Sequence, residues 1–133
     1  MVIDTSALIA ILRDEPDRVS LAAAIHRDPT RLVSAVTKLE AGIVALGLRG
    51  AAGASDLDRL LTEIGAQIIP FNDEQANLAR SAFERFGKGR HPAGLNFGDC
   101  ASYALASAEA EPLLFKGADF AKTDIDVVRI ADE

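Results

Sequence analysis

Met1-Val2-Ile3-Asp4-Thr5-Ser6-Ala7-Leu8 changes character at Asp4. The residues before it are apolar and suit a short buried strand. From Thr5 to Arg13 the apolar residues Leu8, Ile9, Ile11 and Leu12 recur at helical rather than alternating spacing. The chain therefore opens strand then helix, with an acid at the junction.

The same alternation continues outward from that start. Asp14-Glu15-Pro16-Asp17 is a break, and Pro16 suits the first turn of a second helix running to about His26. Arg31 to Ala35 reads as a second strand. Thr37 to about Gly50 and Asp56 to Ile64 read as two amphipathic helices joined by a turn over Gly50 to Ser55. Gln67 to Phe71 is a third strand, and Asp73 to Phe86 a helix with Ala76, Ala79, Phe83 and Phe86 along one face. Gly87 to Gly94 holds glycines and a proline that break both helix and ladder, which predicts a mobile surface loop. Phe97 to Ala110 is an alanine-rich helix, Pro112 to Lys116 a fourth strand, Ala118 to Lys122 one helical turn, and Asp126 to Ile130 a last strand. Parallel neighbours need crossover connections, so strands alternating with helices predict an α/β fold: a three-layer α/β/α sandwich around a mainly parallel sheet. The 133 residues fit one domain.

In such sheets ligands collect beyond the carboxyl ends of the strands. Asp4 closes the first strand, while Glu40 and Asp99 fall in the first turns of later helices. Carboxylates crowded into one pocket repel one another, and a hard divalent cation relieves that conflict. Mg²⁺ in particular takes a few carboxylate oxygens and keeps several waters. A purely structural reading competes. Thr37-Lys38-Leu39-Glu40 also reads as a capping box, and Asn96-Phe97-Gly98-Asp99 sets an acid three residues after an N-cap asparagine. Asp4 resists that reading, because an unpartnered charge closing a buried strand costs several kcal/mol or more.

The net charge of -6 excludes RNA binding through a generally basic surface. Lys88, Arg90 and His91, on the loop leading to Asn96 and Asp99, are the local candidates for phosphate contact. Apolar runs are too short for a membrane span. Asp4 stands where a secretory signal carries positive charge, and the single Cys100, read as a buried apolar residue, fits a reducing compartment; a cytoplasmic location is expected. His26 has no visible ligand or catalytic partner and reads as a surface residue. Gly87-Lys88-Gly89 lacks the spacing of a phosphate-binding loop, which removes nucleotide hydrolysis.

Val2-Ile3-Asp4-Thr5-Ser6-Ala7-Leu8 resembles the opening motif of PIN-domain nucleases, in particular the VapC toxins of toxin-antitoxin pairs. Glu40 within Thr37-Lys38-Leu39-Glu40, Asn96-Phe97-Gly98-Asp99-Cys100 and Pro112-Leu113-Leu114-Phe115-Lys116-Gly117 follow in the family's order, so the resemblance spans essentially the whole chain. It implies a Mg²⁺- or Mn²⁺-dependent endoribonuclease. In it Asp4, Glu40 and Asp99 are the metal-site acids, Asp4 and Asp99 the direct ligands, and Ser6 orients a carboxylate or a water. One ion activates water for in-line attack, a second if present steadies the leaving oxygen, and the products carry 5′-phosphate and 3′-hydroxyl ends. A fourth acid is common where this chain has Gly117; its role passes to Asp119, with Asp124 as an alternative. The resemblance also implies a VapB-like antitoxin and a homodimer, and the Val44 to Leu48 and Leu57 to Ile64 helices offer apolar residues for either, or for the core. The rival readings are a receiver-type phosphoacceptor domain, in which Lys116 would serve, and a degenerate PIN domain that only binds RNA or protein.

Overall fold

The structure, a computed structural model, describes residues 1–130. Its strands are β1 (Val2–Ile3), β2 (Leu32–Ser34), β3 (Gln67–Ile69) and β4 (Leu113–Leu114), all parallel, in the order β3-β2-β1-β4. Between them lie α1 (Thr5–Leu12), α2 (Arg18–Arg27), α3 (Ala35–Glu63), α4 (Asp73–Phe86) and α5 (Phe97–Glu109), and a 3₁₀ turn spans Phe120–Lys122.

Alternation along these short strands builds the three layers. Ile3, Val33 and Leu114, with Ile68 packed at the margin, point to one face and meet Ala7, Leu8, Leu21, Ile25, Ala41, Leu57 and Leu61 from α1, α2 and α3. Val2, Leu32 and Leu113 point to the other and meet Ala82, Cys100, Tyr103, Leu105 and Phe120, from α4, α5 and the 3₁₀ turn. The chain winds outward from β1 through β2 to β3 on one face, then returns to the far side of β1 as β4 along the other. Right-handed crossovers enforce that change of face when the direction of winding reverses. The reversal leaves a crevice beyond β1 and β4, where Asp4 and the segment after Leu114 emerge.

Several elements differ from the sequence reading. The helices expected on either side of Gly50 are one element, α3, kinked where Arg49 and Gly50 leave helical geometry. Gly50 adopts φ 59° and ψ -142°, a conformation open essentially to glycine alone, and helix resumes at once instead of after a turn. α3 also begins earlier than expected, because Ser34 rather than Thr37 is its cap and accepts from the Val36 N–H at 3.2 Å. Glu40 is thereby moved to the second turn. Pro16 precedes α2, which is capped at Asp17. The last strand is reduced to a single bridge between Val127 and Leu113. On α4 the buried residues are Gln75 and Ala82, while Phe83 is 37 % exposed.

Candidate active site

Asp4 is only 2 % exposed, yet both its carboxylate oxygens are supplied with donors. Oδ2 accepts from the Ser6 N–H at 3.0 Å, which caps α1, and from the Ser6 hydroxyl at 2.6 Å; Oδ1 accepts from the Ser102 hydroxyl at 2.6 Å. Ser102 Oγ lies 3.3 Å from Thr37 Oγ1, and Ser6 Oγ accepts from the Lys116 N–H at 3.0 Å. Ser6 of α1 and Ser102 of α5 thus bond one buried carboxylate directly, and Thr37 of α3 and the backbone after β4 bond those two serines in turn. Donors of this kind offset the desolvation that burial imposes.

Asp99 does cap its helix. The Asn96 side chain accepts from the Asp99 N–H at 2.9 Å, and Asp99 Oδ2 accepts from the Asn96 N–H at 3.0 Å. Capping is not its only circumstance. Burial pushes its carboxyl up to about 6 against the pull of the Asn96 hydrogen bond, and the charges of Asp4, Glu40 and Asp119 push in the same direction as burial. Asp99 therefore lies within electrostatic reach of acids from three other stretches of chain.

Glu40 reaches the pocket by lying against Gly98. A methyl group on Gly98 would sit 2.1 Å from Glu40 Oε2, so the missing side chain makes the approach to the first turn of α5 possible. Asp119 is exposed just ahead of the 3₁₀ turn, and its side chain makes no capping hydrogen bond. Asp124 is engaged by other partners. Its carboxylate accepts from the Tyr103 hydroxyl and, at 2.6 Å, from Arg85 Nη2, and those two partners hold it below the ordinary carboxylate range.

The basic loop is closed by contacts within itself and with α4. Lys88 and Arg90 are exposed, and Arg90 stands 5.9 Å over the Phe83 ring. His91 Nδ1 accepts from the Ala93 N–H at 3.0 Å, and its ring meets Phe86 edge-on. Gly87 and Leu95 close the loop through a parallel bridge, which delivers the chain directly to Asn96. His26 is exposed and Cys100 is buried, as expected.

Ser102, Thr37 and Gly98 were not anticipated from the sequence. Ser102 had a visible signal: it stands three residues after Asp99 and so nearly on the same helical face. Thr37 and Gly98 gave none, because their roles depend on the packing of α3 against α5.

A family model described as the PIN domain matches residues 1–126. The chain belongs to the PIN-domain family. "Ribonuclease VapC" of Mycolicibacterium smegmatis is 49 % identical over 128 residues, covering 96 % of this chain and 99 % of the relative. Among solved structures, Mycobacterium tuberculosis VapC20, described as a sarcin-ricin loop cleaving toxin, matches with a TM-score of 0.78 at 14 % identity, covering 96 % of this chain and 98 % of that one. A chain in a toxin-antitoxin complex from Klebsiella pneumoniae matches with a TM-score of 0.69 at 19 % identity, covering 92 % of each. At those identities the structural likeness speaks for the fold alone.

Membership of the PIN-domain family removes the receiver reading, and the geometry agrees. Lys116, which that reading needs as a free cation, is ion-paired with Glu15 and, at 3.5 Å, with Asp17. Among the described residues of this PIN domain, no three Asp, Glu, His or Cys side chains are grouped closely enough to hold a metal ion as they stand. The donors that do meet are carboxylate and hydroxyl oxygens, hard ligands of the kind that suits Mg²⁺ or Mn²⁺ rather than zinc.

Proposed function

We propose that this PIN domain is a VapC-type toxin of a type II toxin-antitoxin pair. In that role it is an endoribonuclease that hydrolyses RNA phosphodiester bonds with Mg²⁺ or Mn²⁺, and a VapB-like antitoxin silences it. The observation that carries the reading is geometric: α5 bonds the buried Asp4 through Ser102, carries Asp99 one turn earlier, and receives the Glu40 carboxylate against Gly98. The 49 % identity to a VapC ribonuclease over nearly its full length supports the same assignment.

Asp4 and Asp99 are the residues to hold the ion, with Glu40 and Asp119 completing the negative site. A divalent cation there offsets the crowded carboxylates and lowers the pKa of a water it carries. Ser6 and Ser102 orient Asp4, so that its oxygens keep one geometry during turnover. Lys88, Arg90 and His91 supply phosphate contacts that an acidic protein otherwise lacks. Residues 1–133 act as one domain, in the cytoplasm. No helix among the described residues is long and apolar enough to cross a membrane.

Leu39, Ile43, Val44, Leu46 and Leu48 are all exposed on the first arm of α3, whereas Leu57 and Leu61 of the second arm are buried. The first arm therefore suits an apolar partner surface, for the antitoxin or a second copy, and the second arm belongs to the core. The degenerate reading has one observation in its favour: Gly117 carries no acid where many PIN domains do. Titrating Mg²⁺ or Mn²⁺ into purified protein with RNA, beside Asp4→Asn and Asp99→Asn, separates the two. Cleavage that needs the metal and both acids is expected. RNA that is bound but never cut supports the degenerate domain, and metal-independent cleavage or fully active variants overturn the assignment.

A further inference from the structure

Asp119 is exposed, and the segment that carries it follows Gly117, whose φ of 105° gives the backbone a turn that side chains resist. What fixes this segment lies on either side of it. Upstream, the Lys116 N–H donates to Ser6, and Lys116 Nζ is paired with Glu15 and Asp17. Downstream, Phe120 is buried and stacks edge-on against Phe115, and the Thr123 hydroxyl donates to Phe120 O at 2.7 Å. Asp124 then anchors the segment to the body of the molecule. It accepts from Tyr103 of α5 and from Arg85 of α4, whose guanidinium also lies 4.7 Å over the Phe86 ring. Arg85 Nη1 donates to the Tyr103 oxygen at 3.4 Å, which closes the three groups into one network.

Tyr103 stands one turn beyond Asp99 on α5, next to Ser102, which holds Asp4. A single helix thus carries Asp99, positions Asp4 through Ser102 and, through Tyr103, grips the segment that leaves β4 beside Ser6 and carries Asp119. We infer that the Arg85–Tyr103–Asp124 network is a positioning device: it fixes the segment after β4 so that Asp119 stands in the acid pocket, in place of the acid absent at Gly117. The three residues touch neither metal nor RNA and act only through Asp119. This rests on the nuclease reading above, and its failure can be told apart from that reading's failure.

The test is a cycle of variants measured for RNA cleavage and for Mn²⁺ binding by the electron paramagnetic resonance of free Mn²⁺. Asp124→Asn, which keeps shape but loses the ion pair, is expected to lower kcat about tenfold and weaken Mn²⁺ binding several-fold, with KM for RNA nearly unchanged. Arg85→Lys is expected to retain more kcat than Arg85→Met. In an Asp119→Asn background, Asp124→Asn should add no further loss, since the residue it positions is already disabled. Circular dichroism and thermal melts identify any variant that fails to fold, and Tyr103→Phe, which removes only the hydroxyl, gives a second route to the same loss. Equal, additive losses in the two backgrounds, or full kcat in Asp124→Asn and Tyr103→Phe, overturn the positioning role while leaving the nuclease intact. Wild-type protein that cuts no RNA under any metal overturns the nuclease reading itself.

Discussion

Gly98 is where the acid pocket is most sensitive to one added methyl group. Alanine there improves helix propensity by up to about 1 kcal/mol, but its Cβ occupies space held by the Glu40 carboxylate. The carboxylate is the end of a flexible side chain and gives way. Gly98→Ala is therefore expected to keep its melting temperature within a few degrees while RNA cleavage drops at least several-fold. An unaltered cleavage rate would mean that the position of Glu40 is immaterial. Ser102→Ala acts differently, because it leaves Asp4 Oδ1 buried without its donor, at a cost of about 1–3 kcal/mol measurable by chemical denaturation. Asp99 sets the pH dependence. Its carboxyl titrates near 6 in the fold against 3.8 ordinarily, so between those values the native state holds a proton that the unfolded chain has released. Stability of the metal-free protein from this group falls as pH rises from 3.8 through about 6, and the cation binding proposed for Asp99, which would displace that proton, is expected to strengthen over the same interval. Thermal melts with and without Mg²⁺ should show a larger stabilising shift at pH 7.5 than at pH 5; equal shifts would exclude Asp99 as a ligand. The candidate acids Asp4 and Asp99 stood out in the sequence at a strand end and a helix start, whereas Glu40, expected in a first turn, lies in the second turn of α3. The hydroxyl partners were mostly not legible, because Thr37 and Ser102 meet only when α3 and α5 are packed.

α3 shows how one element can carry two kinds of glycine. Gly47 sits in an exposed helical turn with open space around its Cα, so Gly47→Ala should stabilise the protein by up to about 1 kcal/mol. Gly53 is buried, and a Cβ there would lie 2.1 Å from the Ala45 carbonyl oxygen on the opposing arm. Gly53→Ala must push backbone against backbone and is expected to destabilise by about 1–3 kcal/mol. Chemical denaturation of the two variants checks the contrast, and comparable values would mean the arms are not in close contact. The sequence marked Gly50 to Ser55 as a break, which captured the place of the kink but not its form. A departure from helical geometry at Arg49 and Gly50 is enough to redirect a helix, and composition cannot tell that from a six-residue turn. The predicted last strand failed for a related reason. Val127, Val128 and Ile130 have the residue types of a strand, yet only Val127 pairs, at the edge beyond β4, and residue type cannot reveal where a ladder stops.

At the scale of the whole molecule, an acidic protein must bind a polyanion through a small part of its surface. The exposed Lys88 and Arg90, with His91, are the proposed part. Replacing all three with alanine should raise KM for RNA and flatten the dependence of cleavage on salt, since fewer counterions are released on binding. Kinetics that match wild type from low to high salt would place the RNA contacts elsewhere. The loop's internal contacts, through Leu95, Ala93 and Phe86, fix its base against α4 and α5 while leaving the Lys88 and Arg90 side chains in solvent.

The order of strands and helices, the parallel sheet and the acids at its carboxyl edge were set by features that act locally: periodicity, glycine and proline breaks, and the change of character at Asp4. Those features operate over a few residues and survive reading in one dimension. The Ser102 donor to Asp4, the contact between Thr37 and Ser102 and the room that Gly98 leaves for Glu40 were decided by packing alone. Each depends on atoms far apart in the chain approaching within a few ångströms, and only the reversal of winding at β1 brings those segments to the same crevice.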